Sequence, residues 1–131
     1  MELTSQIVHA KAALDSAASP ANTWRGFDLA WHATSCLINA EAGAGMEWLP
    51  ATTALIDTRD ALDQTVDRPG PALRPADDAT DTAELRTAVA DLLDALRRLL
   101  LAPTTHGATP AAAGARVRAA EALSEATGAL R

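Results

Sequence analysis

The sequence predicts an all-α fold, an up-down bundle of four to five helices, and two observations favour it. The chain of 131 residues contains 32 alanines and 17 leucines, but only seven residues are valine or isoleucine and none is tyrosine. Alanine and leucine favour helices, whereas β-branched and aromatic residues favour sheets. In addition, apolar residues recur at helical spacing in several segments. The length fits a single domain, 1–131.

The first two helices are predicted from apolar spacing and from a proline. Apolar residues follow a helical stripe over 3–17. This helix should stop before Ser19-Pro20, because the residue that precedes a proline avoids helical geometry. A second helix is predicted over about 23–42, with Asn22 or Thr23 as its N-cap, since short polar side chains accept hydrogen bonds from the first free N–H groups.

A third helix is predicted to begin at Pro50, where the missing N–H group has no cost. After it, the segment 68–80 is rich in proline and acidic residues and is interpreted as an exposed loop. The third helix is expected to carry Leu55, Leu62 and Val66 inward, and Asp57, Asp60, Asp63 and Asp67 outward into solvent.

The fourth helix has the clearest pattern. Asp81, with Glu84 three residues later, is interpreted as a capping box. The helix then shows the 4-3-4-3 spacing of a helix-bundle seam. The residues of this seam are Leu85, Val89, Leu92, Leu96 and Leu99, with Leu93, Leu100 and Leu101 beside them.

A fifth helix is predicted from Thr109-Pro110 to about Leu130, because a cap residue is again followed by proline. Its inward side consists mostly of alanine, which buries little area per turn. The residues expected on that side are Ala113, Val117, Ala120, Leu123 and Leu130.

Charge and composition exclude several classes of function. Acidic residues outnumber basic ones by 17 to 11, the formal net charge is -6 and the pI is about 4.9. This charge repels nucleic acids and anionic membranes, so neither is expected as a partner. A lone cysteine, Cys36, and an N-terminus without a secretory signal indicate a cytoplasmic protein.

Candidate polar site residues lie on the second helix. Asp28, His32 and Cys36 follow each other at intervals of four residues and should line up along one side of it. In an enzyme, Asp28 would orient His32 as a general base, and a thiolate at Cys36 would be activated by the imidazole. The alternative is that this side faces water and that His32 is a solvated histidine paired with Asp28. The sequence leaves both interpretations open, a catalytic site and a solvent-facing polar side.

The aromatic residues are concentrated in one stretch, at Trp24, Phe27, Trp31 and Trp48. Large aromatic side chains at helical spacing usually fill a core, and here they would compensate for the many alanines. Alternatively, the indoles would form the wall of a pocket for an apolar or aromatic small molecule.

A non-enzymatic binding or assembly module is the leading functional hypothesis. A bundle of alanine-rich and leucine-rich helices, one of them with 4-3-4-3 apolar spacing, has apolar surface that can form an interface. This predicts a homodimer or a complex with a helical partner. The alternative is a small-molecule site or enzyme built from the candidate residues above. The sequence lacks the Cys and His spacings of a closed zinc site, so no metal or cofactor is expected.

The segment Trp24-Arg-Gly-Phe-Asp28-Leu29-Ala-Trp-His32 resembles the second helix of the DinB-like and mycothiol-dependent four-helix bundles. That family has a Trp, an Asp-Leu pair four residues later, and a metal-binding His four residues after the Asp. The resemblance implies a bundle with a metal at one end that serves thiol transfer or related chemistry. The family's further ligands, a His or Glu followed four residues later by a His, have no counterpart in this sequence. The resemblance therefore implies a degenerate member that has lost its metal.

Overall fold

The structure is a computed structural model that describes residues 2–39, 45–71, 80–102 and 109–131. Within those ranges the chain forms five α-helices and one turn of 3-10 helix, and no strand occurs there. The predicted all-α bundle is confirmed. The helices are α1 (Leu3–Ser16), α2 (Pro20–Asn39), α3 (Leu49–Thr65), α4 (Ala83–Leu101) and α5 (Pro110–Leu130), with the 3-10 turn (Gly45–Trp48) directly before α3.

The junction between α1 and α2 differs from the prediction. α2 begins at Pro20, and Ser19 caps it by accepting a hydrogen bond from the backbone N–H of Asn22 (3.2 Å). The Asn22 side chain instead donates to the carbonyl of Ala17 (2.9 Å) at the end of α1. The prediction of Asn22 or Thr23 as the N-cap is therefore wrong, because a serine directly before a proline forms the start of the helix.

α2 is the central helix of the described bundle. It packs against α1, α3, α4 and the 3-10 turn, so most of its circumference is buried. A Cβ atom at Gly26 would lie 3.3 Å from Cδ1 of Leu92. The glycine therefore permits the close approach of α2 to α4.

α3 and α4 run in the same direction within the bundle. At their beginnings, Glu47 and Arg86 form an ion pair. At their ends, Arg116 donates hydrogen bonds both to the Thr65 hydroxyl (2.7 Å) and to the Leu100 carbonyl (3.1 Å). Because Arg116 lies near the beginning of α5 and contacts the ends of α3 and α4, α5 runs antiparallel to both helices.

The N-cap of α4 is Thr82, whose hydroxyl accepts a hydrogen bond from the backbone N–H of Leu85 (3.1 Å). The prediction that Asp81 caps this helix is wrong. Its carboxylate is engaged by Arg86, with 2.7 Å from Nε to Oδ1 and from Nη2 to Oδ2. The predicted seam of α4 is buried, except that Leu99 is half-buried and the flanking Leu101 is exposed.

α5 begins as predicted, with the Thr109 hydroxyl accepting from the backbone N–H of Ala112 (3.1 Å). Its buried side, however, is rotated by about one residue. Ala113 and Val117 are exposed, whereas Arg116 is buried. The predicted inward position of Ala113 and Val117 is wrong, because an alanine-rich helix has several equivalent stripes and the hydrogen bonds of Arg116 select one of them.

α3 has the predicted orientation. Leu55 and Leu62 are fully buried, Val66 is half-buried, and the four aspartates of the predicted outer side are exposed. The predicted extension of α2 through 40–42 and most of the predicted loop, 72–79, lie outside the described residues.

Candidate functional site

The predicted polar site residues lie on α2, which is one uninterrupted helix. Asp28, His32 and Cys36 follow one side of it, as the four-residue spacing requires. Their environments differ, since Asp28 is buried whereas His32 and Cys36 are half-buried. The three side chains therefore divide into a buried carboxylate and a more accessible imidazole–thiol pair.

The imidazole and the thiol are in contact, with 3.7 Å between His32 Nε2 and Cys36 Sγ. An imidazole beside a thiol can accept its proton, and the resulting thiolate is the nucleophilic form of cysteine. Because both side chains are half-buried, small reagents in solution have access to them. The arrangement is chemically suited to thiol chemistry.

Asp28 binds Arg68, a residue that the sequence analysis did not connect with it. Nη1 of Arg68 donates to Oδ2 (3.0 Å) and Nη2 donates to Oδ1 (3.3 Å), so the pair is bidentate. Only 8% of Asp28 is exposed, and a buried carboxylate requires such a partner. Arg68 lies 40 positions away, in the proline-rich segment, and no periodicity relates the two residues.

Trp24 completes this cluster. The Arg68 guanidinium carbon lies 3.9 Å from the centroid of the indole, a cation–π contact. The indole N–H donates to the carbonyl of Val66 (3.2 Å), which directly follows α3. Trp24, Asp28 and Arg68 together therefore attach the beginning of the 66–82 connection to α2.

A cleft of about 270 Å³ lies beside this cluster, between α2 and residues 68–71. Its walls combine two arginines and one carboxylate with apolar side chains. The residues that line it include Ala21, Trp24, Arg25, Asp28, Arg68, Pro69 and Pro71.

The aromatic residues form two separate groups. Trp24 packs edge-on against Phe27 (5.6 Å between centroids), and Phe27 stacks with Trp31 (6.2 Å, 15° between planes). Trp48 lies at the other end of α3, which has 17 residues and is therefore about 25 Å long. Trp24, Phe27 and Trp48 are buried, and Trp31 is half-buried. The structure does not bring the three indoles into one pocket wall.

A second ion-pair cluster joins the beginnings of α3 and α4. Arg86 binds both Asp81 and Glu47, and its guanidinium lies 6.0 Å from the Trp48 ring centroid. Hydrogen bonds from Arg86 hold the pKa of Asp81 below its ordinary value, although partial burial opposes this shift. The same hydrogen bonds raise the pKa of Arg86. Asp81 and Arg86 therefore stay charged at neutral pH, and the contact of Arg86 with Glu47 fixes the 3-10 turn against α4.

Arg116 is a third arginine that the sequence analysis missed as a structural residue. It is buried and donates to the carbonyls of Leu99 (2.8 Å) and Leu100 (3.1 Å) and to the Thr65 hydroxyl. Burial lowers the pKa of Arg116, but a guanidinium stays protonated at neutral pH. Its charge is stabilised by the carbonyl groups at the end of α4, where the helix dipole is negative.

Metal ligands are not grouped in the described part of the chain. Among those residues, no three His, Cys, Asp or Glu side chains lie together so that they could hold a metal ion. His9 is exposed on α1, and His106 lies outside the described residues.

An exposed apolar stripe runs from the 3-10 turn onto the solvent-facing side of α3. Three large side chains on it are unusually exposed: Met46 at 74%, Leu49 at 51% and Ile56 at 42%. Thr53, also exposed, completes a 3-4-3 spacing. We call these four residues the α3 outer face.

No helix in the described ranges is long and apolar enough to cross a membrane. Comparison of the chain with models of protein families, with curated proteins and with solved structures gives no match. The resemblance of residues 24–32 to the DinB-like bundles therefore stays a prediction.

Proposed function

We propose that the protein is a non-enzymatic binding module whose α3 outer face binds an amphipathic helix of a partner protein. The observation that carries this proposal is the exposed apolar stripe on a helix whose opposite side forms the core. The free thiol of Cys36 is consistent with a reducing compartment, the cytoplasm.

The spacing of the stripe suits a helical partner. Leu49, Thr53 and Ile56 share one side of α3 by their 4-3 spacing, which is how apolar anchors meet a second helix, and Met46 precedes them in the 3-10 turn. Burying a large apolar side chain is worth about 1.5–3 kcal/mol when it is fully exposed, so three partly exposed ones contribute about 3 kcal/mol. A binding free energy of this size gives a reversible complex, and specificity for one partner requires an additional interaction.

Charge supplies that contribution and selects the partner. Asp57, Asp60, Asp63 and Asp67 are exposed beyond the stripe, and no ion pair within the described ranges involves them. A second copy of the chain would present the same carboxylates and would be repelled. A partner helix with apolar residues followed by lysine or arginine fits better than a homodimer.

The test uses a synthetic helical peptide with leucines at 3-4-3 spacing followed by two turns of lysine. A matched peptide carries glutamate in place of lysine. Binding is measured by fluorescence anisotropy of the labelled peptides against wild type, Ile56→Lys and the control Val117→Lys, which alters an equally exposed apolar residue of α5.

We expect wild type and V117K to bind the lysine peptide, I56K to bind it about tenfold more weakly, and the glutamate peptide to bind poorly. Equal binding of both peptides, or equal loss in the two variants, would contradict the proposal. Sedimentation velocity that shows a dimer broken by I56K would assign the face to a second copy instead, which also contradicts it.

The contact between His32 and Cys36 favours a second candidate, a thiol-dependent activity at the more accessible part of the α2 polar side. If the imidazole activates the thiol, alkylation of Cys36 by iodoacetamide at neutral pH slows by about threefold or more in His32→Gln. Equal rates in the two proteins would remove this candidate.

A further inference from the structure

We propose that the cleft between α2 and residues 68–71 binds a small carboxylate that carries an apolar ring. This site is separate from the α3 outer face, so the inference goes beyond the binding function proposed above.

The charges lining the cleft favour an anion. The lining contains two cations, Arg25 and Arg68, and one carboxylate, Asp28, so its formal charge is +1. This local positive charge stands out because the net charge of the whole chain is -6. Arg25 is exposed and forms no ion pair within the described ranges. A guanidinium has five N–H donors, and Arg68 uses two of them on Asp28. Donors therefore remain on both arginines for a carboxylate.

The remaining lining residues favour an apolar group on the ligand. Ala21, Trp24, Pro69 and Pro71 present mainly carbon atoms to the cleft. A cavity of about 150 Å³ holds a benzene molecule, and this cleft measures about 270 Å³. It therefore has space for one ring together with a carboxylate.

One of the two arginines, Arg68, is also preorganised. Asp28 holds the Arg68 guanidinium in a bidentate pair, and the Trp24 indole supports it at 3.9 Å. A side chain that is already fixed loses little further freedom when a ligand binds. Asp28 is thus a positioning residue, and Arg25 is the cation free to pair with the ligand.

The experiment is an amide NMR titration of the full chain with phenylacetate, and with neutral phenylacetamide as the matched ligand. Arg25→Gln removes the uncompensated charge without touching the core, because Arg25 is exposed. Arg118→Gln, an exposed arginine on α5, is the control with the same change in net charge. A ligand of about ten non-hydrogen atoms is expected to bind with a Kd of about 1 mM.

We expect saturable shifts at residues of the cleft, binding about fivefold weaker in R25Q, unchanged binding in R118Q, and weaker binding of the amide. Shifts in other regions alone, equal affinities of R25Q and R118Q, or equal affinities of the two ligands would overturn the proposal. Absence of saturation up to about 10 mM, tenfold beyond the expected Kd, would overturn it as well.

Discussion

The Asp28 carboxylate is almost fully buried, and its charge is balanced by the Arg68 guanidinium. Burial of an ionised carboxylate is unfavourable unless hydrogen bonds replace its water. The bidentate geometry provides two such bonds, and the partly exposed position of Arg68 keeps the desolvation of the cation small.

Removing the cation should therefore deprive the buried carboxylate of its two hydrogen bonds from Arg68. We expect Arg68→Gln to lower the free energy of unfolding by about 2 kcal/mol. Asp28→Asn/Arg68→Gln should cost less than the sum of the single changes by at least about 1 kcal/mol. Urea denaturation measures both values.

Lys11→Ala, which breaks the exposed pair with Asp15, serves as the control and should change stability by less than about 1 kcal/mol. Strictly additive single changes would show that the Asp28–Arg68 pair does not form.

Arg116 makes a different kind of prediction, because its partners are neutral. Arg116→Met keeps the aliphatic stem but leaves the carbonyls of Leu99 and Leu100 and the Thr65 hydroxyl without this donor. We expect a loss of about 3 kcal/mol in urea denaturation. Lysine cannot reproduce the planar fork of donors, so Arg116→Lys should also be destabilised. The exposed neighbour Arg118, changed to Met, should be nearly neutral. An R116M protein as stable as R118M would contradict this role.

The Asp81–Arg86 pair predicts a pH dependence of stability. Because the pKa of Asp81 is lower in the folded protein than its ordinary value of 3.8, the folded state favours the ionised carboxylate. The stabilisation is fully present above about pH 5 and is lost as the pH falls through 3.8 into the range of the lowered pKa. The difference in urea midpoint between wild type and Asp81→Asn should therefore shrink on acidification. Asp91→Asn, at an exposed pair, is the control. A difference that stays constant with pH would show that Asp81 is not stabilised as an ion.

Local and distant contacts differ in how far the sequence predicts them. The His32–Cys36 contact follows from a four-residue interval on a helix, and the structure contains it. The pairs Asp28–Arg68, Glu47–Arg86 and Thr65–Arg116 join residues that lie 40, 39 and 51 positions apart in the sequence. No periodic pattern encodes such pairs, because they depend on how helices are placed relative to each other.

At the scale of the elements, helix existence was predictable and helix ends were less so. The seam of α4 and the Thr109 cap of α5 follow directly from residue spacing and residue type. The caps of α2 and α4 were misassigned because adjacent polar residues compete for each position. Asp81 lost the cap position to Thr82 since a bidentate arginine binds its carboxylate more strongly than one backbone N–H does.

This competition is testable at the beginning of α4. Thr82→Ala removes the hydroxyl that accepts from the Leu85 backbone N–H and should lower stability by about 1 kcal/mol. Thr53→Ala changes an exposed threonine inside α3, where alanine is the better helix former, and should be neutral or slightly stabilising. Thermal unfolding followed by circular dichroism compares the two. A neutral T82A, with a larger loss in the Asp81→Asn protein than the ion pair explains, would return the cap to Asp81.

At the scale of the whole molecule, α2 and α5 lie on different sides of the contacts that α3 and α4 make, since α2 and α5 do not contact each other in the described part of the chain. The buried circumference of α2 contacts three other helices and the 3-10 turn, and α5 packs against α3 and α4. The class of fold was predictable from composition. The parallel direction of α3 and α4 was not predictable, because the composition of a segment between two helices does not determine the direction of the second helix relative to the first.

The bundle should unfold as one unit, because every described helix packs against at least two others. Trp24 and Trp48 report on opposite ends of α3. We therefore expect Trp31→Phe/Trp48→Phe and Trp24→Phe/Trp31→Phe, which each retain one of these indoles, to show urea transitions that superimpose on the far-UV circular dichroism of the same variant. A common slope of about 1–3 kcal/mol per molar urea should describe both signals. If the emission of Trp48 changes at a lower urea concentration than the helical signal, the 3-10 turn and the start of α3 open separately, and the surface proposed for partner binding belongs to a locally unstable region rather than to a fixed face.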